Sequence, residues 1–178
     1  YRVSRDIFDV GRDPEGDIVV ELIGGTTVAR DLVTQAIQAG KHVVTANKAL
    51  IAEFGNELIA LAEQAQVALR FEAAVAGGIP VIKVLRESLA ANVVSGVAGI
   101  INGTGNFILT EMANAGRSFD DVLAEAQALG YAEADPTFDI DGTDAAHKLV
   151  ILASIAFGIP LDANAPIMEG IDTVTPED

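Results

Sequence analysis

The sequence lacks cysteine and tryptophan, and His42 and His147 are the only histidines among its 178 residues. The absence of cysteine excludes disulfide bonds, thiolate nucleophiles and Cys-ligated metals, and two histidines so far apart in sequence argue against a His-based metal site. Aromatic residues make up only 5% of the chain, although 50% of it is hydrophobic. This excess of small aliphatic residues favours helices packed closely on a sheet, which is an α/β fold.

Basic residues are also scarce, with 11 Lys and Arg against 26 Asp and Glu, so the net charge is −15. Such a chain repels the phosphate backbone of nucleic acids and the surface of anionic membranes. No apolar run reaches the length of about 20 residues that a transmembrane helix needs, and no secretory signal peptide is recognisable. We therefore predict a cytoplasmic protein without nucleic-acid or membrane partners.

The first part of the chain contains two strand–helix repeats. A buried strand is predicted over residues 17–22, and a glycine turn and a helix lead from it to a second strand over 41–45. A helix over 52–66 then leads to a strand over 67–71. Successive strands joined by helices form βαβ units with a parallel sheet and right-handed crossovers.

A stretch of small residues over 72–80 divides the chain, and we place a domain boundary between residues 79 and 80. Apolar residues beyond the boundary predict a helix after Pro80, a strand over 92–101 and then mostly helices. The last helix is apolar on nearly every side, which is typical of a buried helix.

Asp144 and Lys148 lie at the start of that last helix. Positions i and i+4 share one helix face, so the two side chains are neighbours above the apolar residues Ile151 and Ile155. A surface ion pair of this spacing is common and contributes only about 0.3–0.5 kcal/mol. A charged pair at the end of a buried stripe favours a functional site, and both interpretations stay open on the pair alone.

Two short segments follow the first two strands and are predicted at the same edge of the sheet. Gly24 and Gly25 follow the first strand, and Thr45, Asn47 and Lys48 end the second. Ligands of open α/β sheets bind at this edge, which makes these five residues candidates for cofactor binding. An ordinary turn and a solvated lysine are the alternatives, and the sequence contains no G-x-G-x-x-G motif.

Four segments together resemble homoserine dehydrogenase: TANKALIA (45–52), EAAVAGGIP (72–80), INGTGNFILTEM (101–112) and LGYAEADPTFDIDGTDAAHK (129–148). The resemblance implies NAD(P)-dependent interconversion of L-homoserine and L-aspartate 4-semialdehyde, in threonine, methionine and isoleucine biosynthesis from aspartate. It also implies that residues 1–79 are the C-terminal part of a Rossmann-type NAD(P)-binding domain. Residues 80–178 would then be an incomplete α/β domain that binds substrate and forms a homodimer.

The resemblance also implies roles for individual residues. Lys148 is similar to the catalytic acid/base and Asp144 to its partner, while Glu133, Asp139 and Lys48 are similar to residues that contact the substrate. Carbonyl oxygens suit small cations, and the resemblance implies a monovalent Na⁺ or K⁺ site in the small-residue stretch. That site would be formed by Glu72, Val75, Gly77 and Ile79, mainly through their backbone carbonyls.

The sequence departs from the family in several ways. The glycine-rich turn that grips the pyrophosphate is missing, Gly105 stands where Thr is expected, and the closing segments are absent. We therefore expect a fragment that binds the dinucleotide poorly and is inactive in isolation. The alternatives are a non-catalytic amino-acid-binding or dimerisation module, and a dehydrogenase of another small amino or hydroxy acid.

Overall fold

The computed structural model describes residues 2–175 and residue 178. The chain divides into two compact units, one formed by Tyr1–Val97 with Val150–Ala163 and the other by Ala98–Leu149 with Asn164–Asp178. The predicted boundary between residues 79 and 80 separates a cofactor-binding domain from a substrate-binding domain, and it stays a prediction.

The first unit alternates strands with helices. Its elements are α1 (Asp9–Arg12), β1 (Ile18–Glu21), α2 (Thr27–Gln38), β2 (His42–Thr45), α3 (Lys48–Gln64), β3 (Leu69–Arg70), a 3₁₀ turn (Glu72–Ala74) and α4 (Val81–Lys83), which continues as a π turn (Val84–Ser88). The strands lie in the order β1-β2-β3 and every pair is parallel, with Val19 opposite Val43 and Val43 opposite Leu69. The predicted α/β class with a parallel sheet is therefore confirmed.

One face of this sheet is buried and the other is open in the described chain. Val19 and Val43 pack into the core with Ala29, Val33 and Leu58 of the two long helices. Successive side chains of a strand point to opposite faces. The alternate residues accordingly remain exposed: Ile18, Val20, Leu22 and Val44.

The second unit is helical over the described residues. It contains α5 (Gly103–Ala115), α6 (Phe119–Ala128) and α7 (Thr137–Ile140), and α8 (Thr143–Phe157) begins in it and ends in the first unit. Ile108 and Met112 of α5 pack against Val122 and Ala126 of α6. Gly116, with φ 62°, ends α5 in the left-handed conformation that glycine adopts without strain. Every helix in the described chain is too short or too polar to cross a bilayer.

Two predicted elements differ from the structure. The predicted strand over 92–101 is wrong, because this segment joins no sheet in the described residues and exposes 97% of Val93 and 79% of Ile100. An apolar pattern alone does not make a strand, since its backbone must pair with a neighbour. Helix α3 begins at Lys48, before the predicted residue 52, because the Asn47 side chain accepts a hydrogen bond from the Leu50 N–H and caps it.

Candidate active site

The second unit contains an open cavity of about 560 Å³. Its lining residues come from the start of α5, the turn after α6, helix α7 and the first turns of α8: Asn102, Gly103, Thr104, Phe107, Gly130, Tyr131, Asp139, Asp144 and Lys148. Two contacts within the unit fix one wall, because the Thr104 hydroxyl donates to the Tyr131 carbonyl at 2.8 Å and the Phe107 and Tyr131 rings meet edge to face.

Helix α8 brings Asp144 and Lys148 together at this cavity. Lys148 Nζ lies 2.5 Å from Asp144 Oδ2, and it also donates to the Ile101 carbonyl at 2.7 Å. Only 6% of the Asp144 side chain and 17% of the Lys148 side chain are exposed. Burial makes this pair unlike the solvated ion pairs of helix surfaces, which contribute little and are free to separate.

Asn102 connects this ion pair to the second carboxylate of the cavity. Its Nδ2 donates to Asp139 Oδ1 at 2.7 Å and to Asp144 Oδ2 at 2.9 Å. Its Oδ1 accepts from the Gly105 N–H at 2.6 Å and so caps α5. One amide group thus holds two carboxylates in place and begins a helix. A Cβ at Gly105 would lie 3.2 Å from Asn102 Oδ1, so the glycine found there leaves room for this contact.

The acidic segment before α8 supplies only part of the predicted substrate site. Asp139 lines the cavity, whereas Glu133 is exposed and is absent from the cavity lining. The role of Glu133 therefore stays a prediction. Asp135, also exposed, accepts hydrogen bonds from the Thr137 hydroxyl and N–H, which lower the pKa of its carboxyl.

A second polar network lies in the first unit, where β1 and β2 end. The Asn47 Nδ2 donates to the Gly25 carbonyl at 2.6 Å, and the Thr45 hydroxyl donates to Glu21 Oε2 at 2.5 Å. Glu21 Oε1 accepts from the Gly24 N–H at 3.2 Å. Four of the five candidate cofactor residues, Gly24, Gly25, Thr45 and Asn47, are thus brought together, but the Gly24 N–H is engaged by a carboxylate of the chain itself.

The turn after β1 leaves open backbone at this edge of the sheet. Gly24 and Gly25 have φ values of +82° and +68°, and no atom lies within 4 Å of a Cβ built at either position. Side chains are therefore absent from a strip of backbone at the edge where α/β sheets bind ligands. Lys48 is the first residue of α3 and lies three positions after Thr45, the last residue of β2.

The segment after β3 is held by the Glu72 side chain. Its two carboxylate oxygens accept from the Ile82 and Lys83 N–H groups, each at 3.0 Å, at the start of α4. No group of three or more His, Cys, Asp or Glu side chains among the described residues could hold a metal ion. A cation at this segment would therefore depend on carbonyl oxygens, as predicted for Glu72, Val75, Gly77 and Ile79.

Sequence reasoning missed Glu21 and Asn102 as parts of the two networks. The burial of Glu21 was predictable from the sequence, because the alternation of a strand places it on the same face as the buried Val19. Asn102 precedes a helix and was recognisable as a cap, but its contacts to Asp139 and Asp144 depend on the fold.

A family model described as homoserine dehydrogenase matches residues 80–178, and one described as its NAD-binding domain matches residues 1–72. The homoserine dehydrogenase of Pseudomonas aeruginosa is 66% identical over 176 residues, which are 99% of this chain and 41% of that protein. The one from Neisseria gonorrhoeae is 58% identical over 174 residues, or 98% of this chain and 40% of that protein.

Solved structures agree. The homoserine dehydrogenase from Thiobacillus denitrificans matches with a TM-score of 0.97 and 64% identity, over 98% of this chain and 41% of that one. A hyperthermophilic archaeal homoserine dehydrogenase in complex with NADPH matches with a TM-score of 0.83 and 34% identity, over 98% of this chain and 53% of that one.

This chain spans about two fifths of the length of the curated relatives it matches. The parallel sheet and the NAD-binding match confirm a partial Rossmann-type domain. One family model covers more than half of the residues, and the relatives are closely similar. The chain therefore belongs to the homoserine dehydrogenase family.

Proposed function

We propose that the protein containing this chain interconverts L-homoserine and L-aspartate 4-semialdehyde with NAD or NADP, as a step of threonine, methionine and isoleucine biosynthesis. The observation that carries the proposal is the buried Asp144–Lys148 pair, which Asn102 joins to Asp139 at one cavity. Membership of the family and the complex of an archaeal relative with NADPH support it.

The charges of the cavity suit an amino acid with a terminal hydroxyl group. Homoserine carries an ammonium group, and the carboxylates of Asp139 and Glu133 are the groups that we propose to bind it. Among the described residues that line the cavity, Lys148 is the only one with a basic side chain, and we assign the reacting hydroxyl to it.

The proton transfer follows from this arrangement. Oxidation of the alcohol removes a hydride from carbon and a proton from oxygen, and a bound nicotinamide dinucleotide supplies the hydride acceptor. Lys148, as a neutral amine, takes the proton from the hydroxyl and becomes the ammonium that pairs with Asp144. In the reverse reaction this ammonium returns the proton to the carbonyl oxygen. Asp144 and the Ile101 carbonyl, at 2.5 and 2.7 Å, hold Lys148 Nζ in one position for both directions.

The first unit provides the proposed cofactor edge. Gly24, Gly25, Thr45, Asn47 and Lys48 would hold the nicotinamide end, where the backbone lies open. The carbonyls of residues 72–79 are the proposed site of a Na⁺ or K⁺ ion. Because the Glu72 carboxylate is engaged by α4, that residue would contribute its backbone only.

We further propose that the whole protein is a cytoplasmic homodimer without nucleic-acid or membrane partners. The net charge of −15 supports the absence of nucleic acid and of anionic lipid as partners. Exposed apolar side chains outside the cavity, such as Val93 and Ile100, are compatible with burial by further chain or by a second copy.

The test is homoserine-dependent reduction of NAD⁺ and NADP⁺ by the full-length protein, measured beside the isolated 178-residue chain. We expect activity in the full-length protein and none in the isolated chain, because the pyrophosphate-binding turn of the family is absent from these residues. A full-length protein that ignores homoserine would overturn the proposed function. An isolated chain with normal turnover would overturn the expectation of an inactive fragment.

A further inference from the structure

The last residue of β1, Glu21, places a carboxylate inside the first unit. Its exposure is 0%, and it shares the buried face of the sheet with Val19. Burying a charge is costly unless hydrogen bonds replace the lost hydration. The contacts that compensate this carboxylate therefore indicate what it does.

Three hydrogen bonds from uncharged donors reach Glu21. Oε1 accepts from the Ile23 N–H at 2.7 Å and from the Gly24 N–H at 3.2 Å. Oε2 accepts from the Thr45 hydroxyl at 2.5 Å. Two of these donors belong to the turn after β1 and the third belongs to the end of β2, so one carboxylate joins two separate loops.

Asn47 connects the end of β2 back to the turn after β1. The Thr45 hydroxyl oxygen accepts from the Asn47 N–H at 2.9 Å, and the Asn47 side chain donates to the Gly25 carbonyl at 2.6 Å. The turn after β1 and the segment after β2 are thus closed into one ring of hydrogen bonds. Both segments begin at the carboxyl edge of the sheet, where ligands bind in open α/β sheets.

We propose that Glu21 is a positioning residue, whose carboxylate preorganises the two loops of the dinucleotide edge. The inference rests on the proposed function and extends it to a residue that need not touch the cofactor. Since Glu21 engages the N–H groups of Ile23 and Gly24, this turn does not offer those two donors to a phosphate. What the turn presents to a bound dinucleotide is therefore open glycine backbone and not a pair of free N–H donors for the pyrophosphate.

The experiment measures the Kd for NADPH by fluorescence titration, together with the KM for homoserine, for the full-length protein and its Glu21→Gln variant. Glutamine keeps the shape and an acceptor for the two N–H groups, but it cannot accept the Thr45 proton through its NH₂ group. We expect the Kd for NADPH to rise about tenfold, as for other losses of a buried acceptor, and the KM for homoserine to change less than about twofold.

Two further variants separate positioning from folding. Thr45→Val removes one donor and leaves the carboxylate, and we expect a smaller rise of the Kd for NADPH in the same direction. Glu63→Gln, on the exposed surface of α3, is the matched control and should leave both constants unchanged. Melting temperatures of all variants show how far each remains folded at the assay temperature.

An unchanged Kd for NADPH in Glu21→Gln and Thr45→Val would overturn the inference. So would equal rises of the Kd for NADPH and the KM for homoserine, which indicate general damage to the fold. If the wild type binds NADPH but does not oxidise homoserine, the proposed function fails while the Kd values still decide the role of Glu21.

Discussion

The two polar networks of this chain stabilise a buried carboxylate with different kinds of partner. Glu21 in the first unit is fully buried and is satisfied by three uncharged donors. Asp144 in the second unit is paired with a lysine, and both residues line an open cavity. A charge held by backbone N–H groups keeps one arrangement, whereas a lysine beside a cavity can exchange a proton with a bound molecule. The first network is suited to fixing loops, and the second is suited to chemistry.

The largest effect is expected from the charged network. Lys148→Ala in the full-length protein removes the proposed acid/base, and we expect kcat for homoserine oxidation to fall about 10²- to 10⁴-fold. Lys83→Ala is the matched control, because the Lys83 side chain is exposed and lies outside the cavity lining. Steady-state kinetics of both variants decide the question. If the Lys148→Ala variant kept most of its kcat, the proposed acid/base role of Lys148 would be wrong.

A smaller loss of activity is expected from changes at Asn102, the uncharged donor on which the charged network depends. Asn102→Ser keeps an N-cap for α5 but loses the donors to Asp139 and Asp144. Misplacing these carboxylates should lower kcat/KM for homoserine about tenfold or more. Asn102→Ala should match that loss and also lower the free energy of unfolding by about 1 kcal/mol, because the cap is gone. Kinetics and denaturant unfolding separate the two contributions, and wild-type kcat/KM in Asn102→Ser would contradict the prediction.

The smallest effect concerns a carboxylate that is hydrogen-bonded without being buried. Thr137 lowers the pKa of Asp135 in the folded chain, so the stability this carboxylate adds is present above the ordinary pKa of an aspartate in the unfolded chain. That stability is lost as the pH falls through the lower folded pKa. Asp135→Ala should abolish this small component of acid unfolding, and the exposed Asp31→Ala should leave it in place. Urea midpoints measured as a function of pH provide the test, and identical profiles for wild type and Asp135→Ala would refute it.

Much of the fold follows from local patterns. The two βαβ units could be predicted because strand and helix periods differ and glycines mark the turns. The closeness of Asp144 and Lys148 follows from helical spacing alone. The misplaced start of α3 and the wrong strand over 92–101 have another origin, since a cap is decided by one side chain and a strand by a partner elsewhere.

The candidate site is less visible in the sequence than the fold. Asn102 contacts Asp139 and Asp144, 37 and 42 positions later, and no local pattern anticipates such pairs. The burial of Glu21 is foreshadowed by strand alternation, but its bond to Thr45 depends on the register of β1 against β2, which places these residues opposite each other.

The open face of the parallel sheet affects how readily isolated chains associate with one another in solution. Ile18, Val20, Leu22 and Val44 make that face adhesive towards other apolar surfaces, and parallel sheets are normally covered on both sides. The net charge of −15 opposes contact between copies, and this repulsion weakens once salt shortens the Debye length to about 8 Å. Added salt should therefore drive isolated chains to associate through the sheet. We expect a full-length protein whose further residues cover that face to tolerate the same salt.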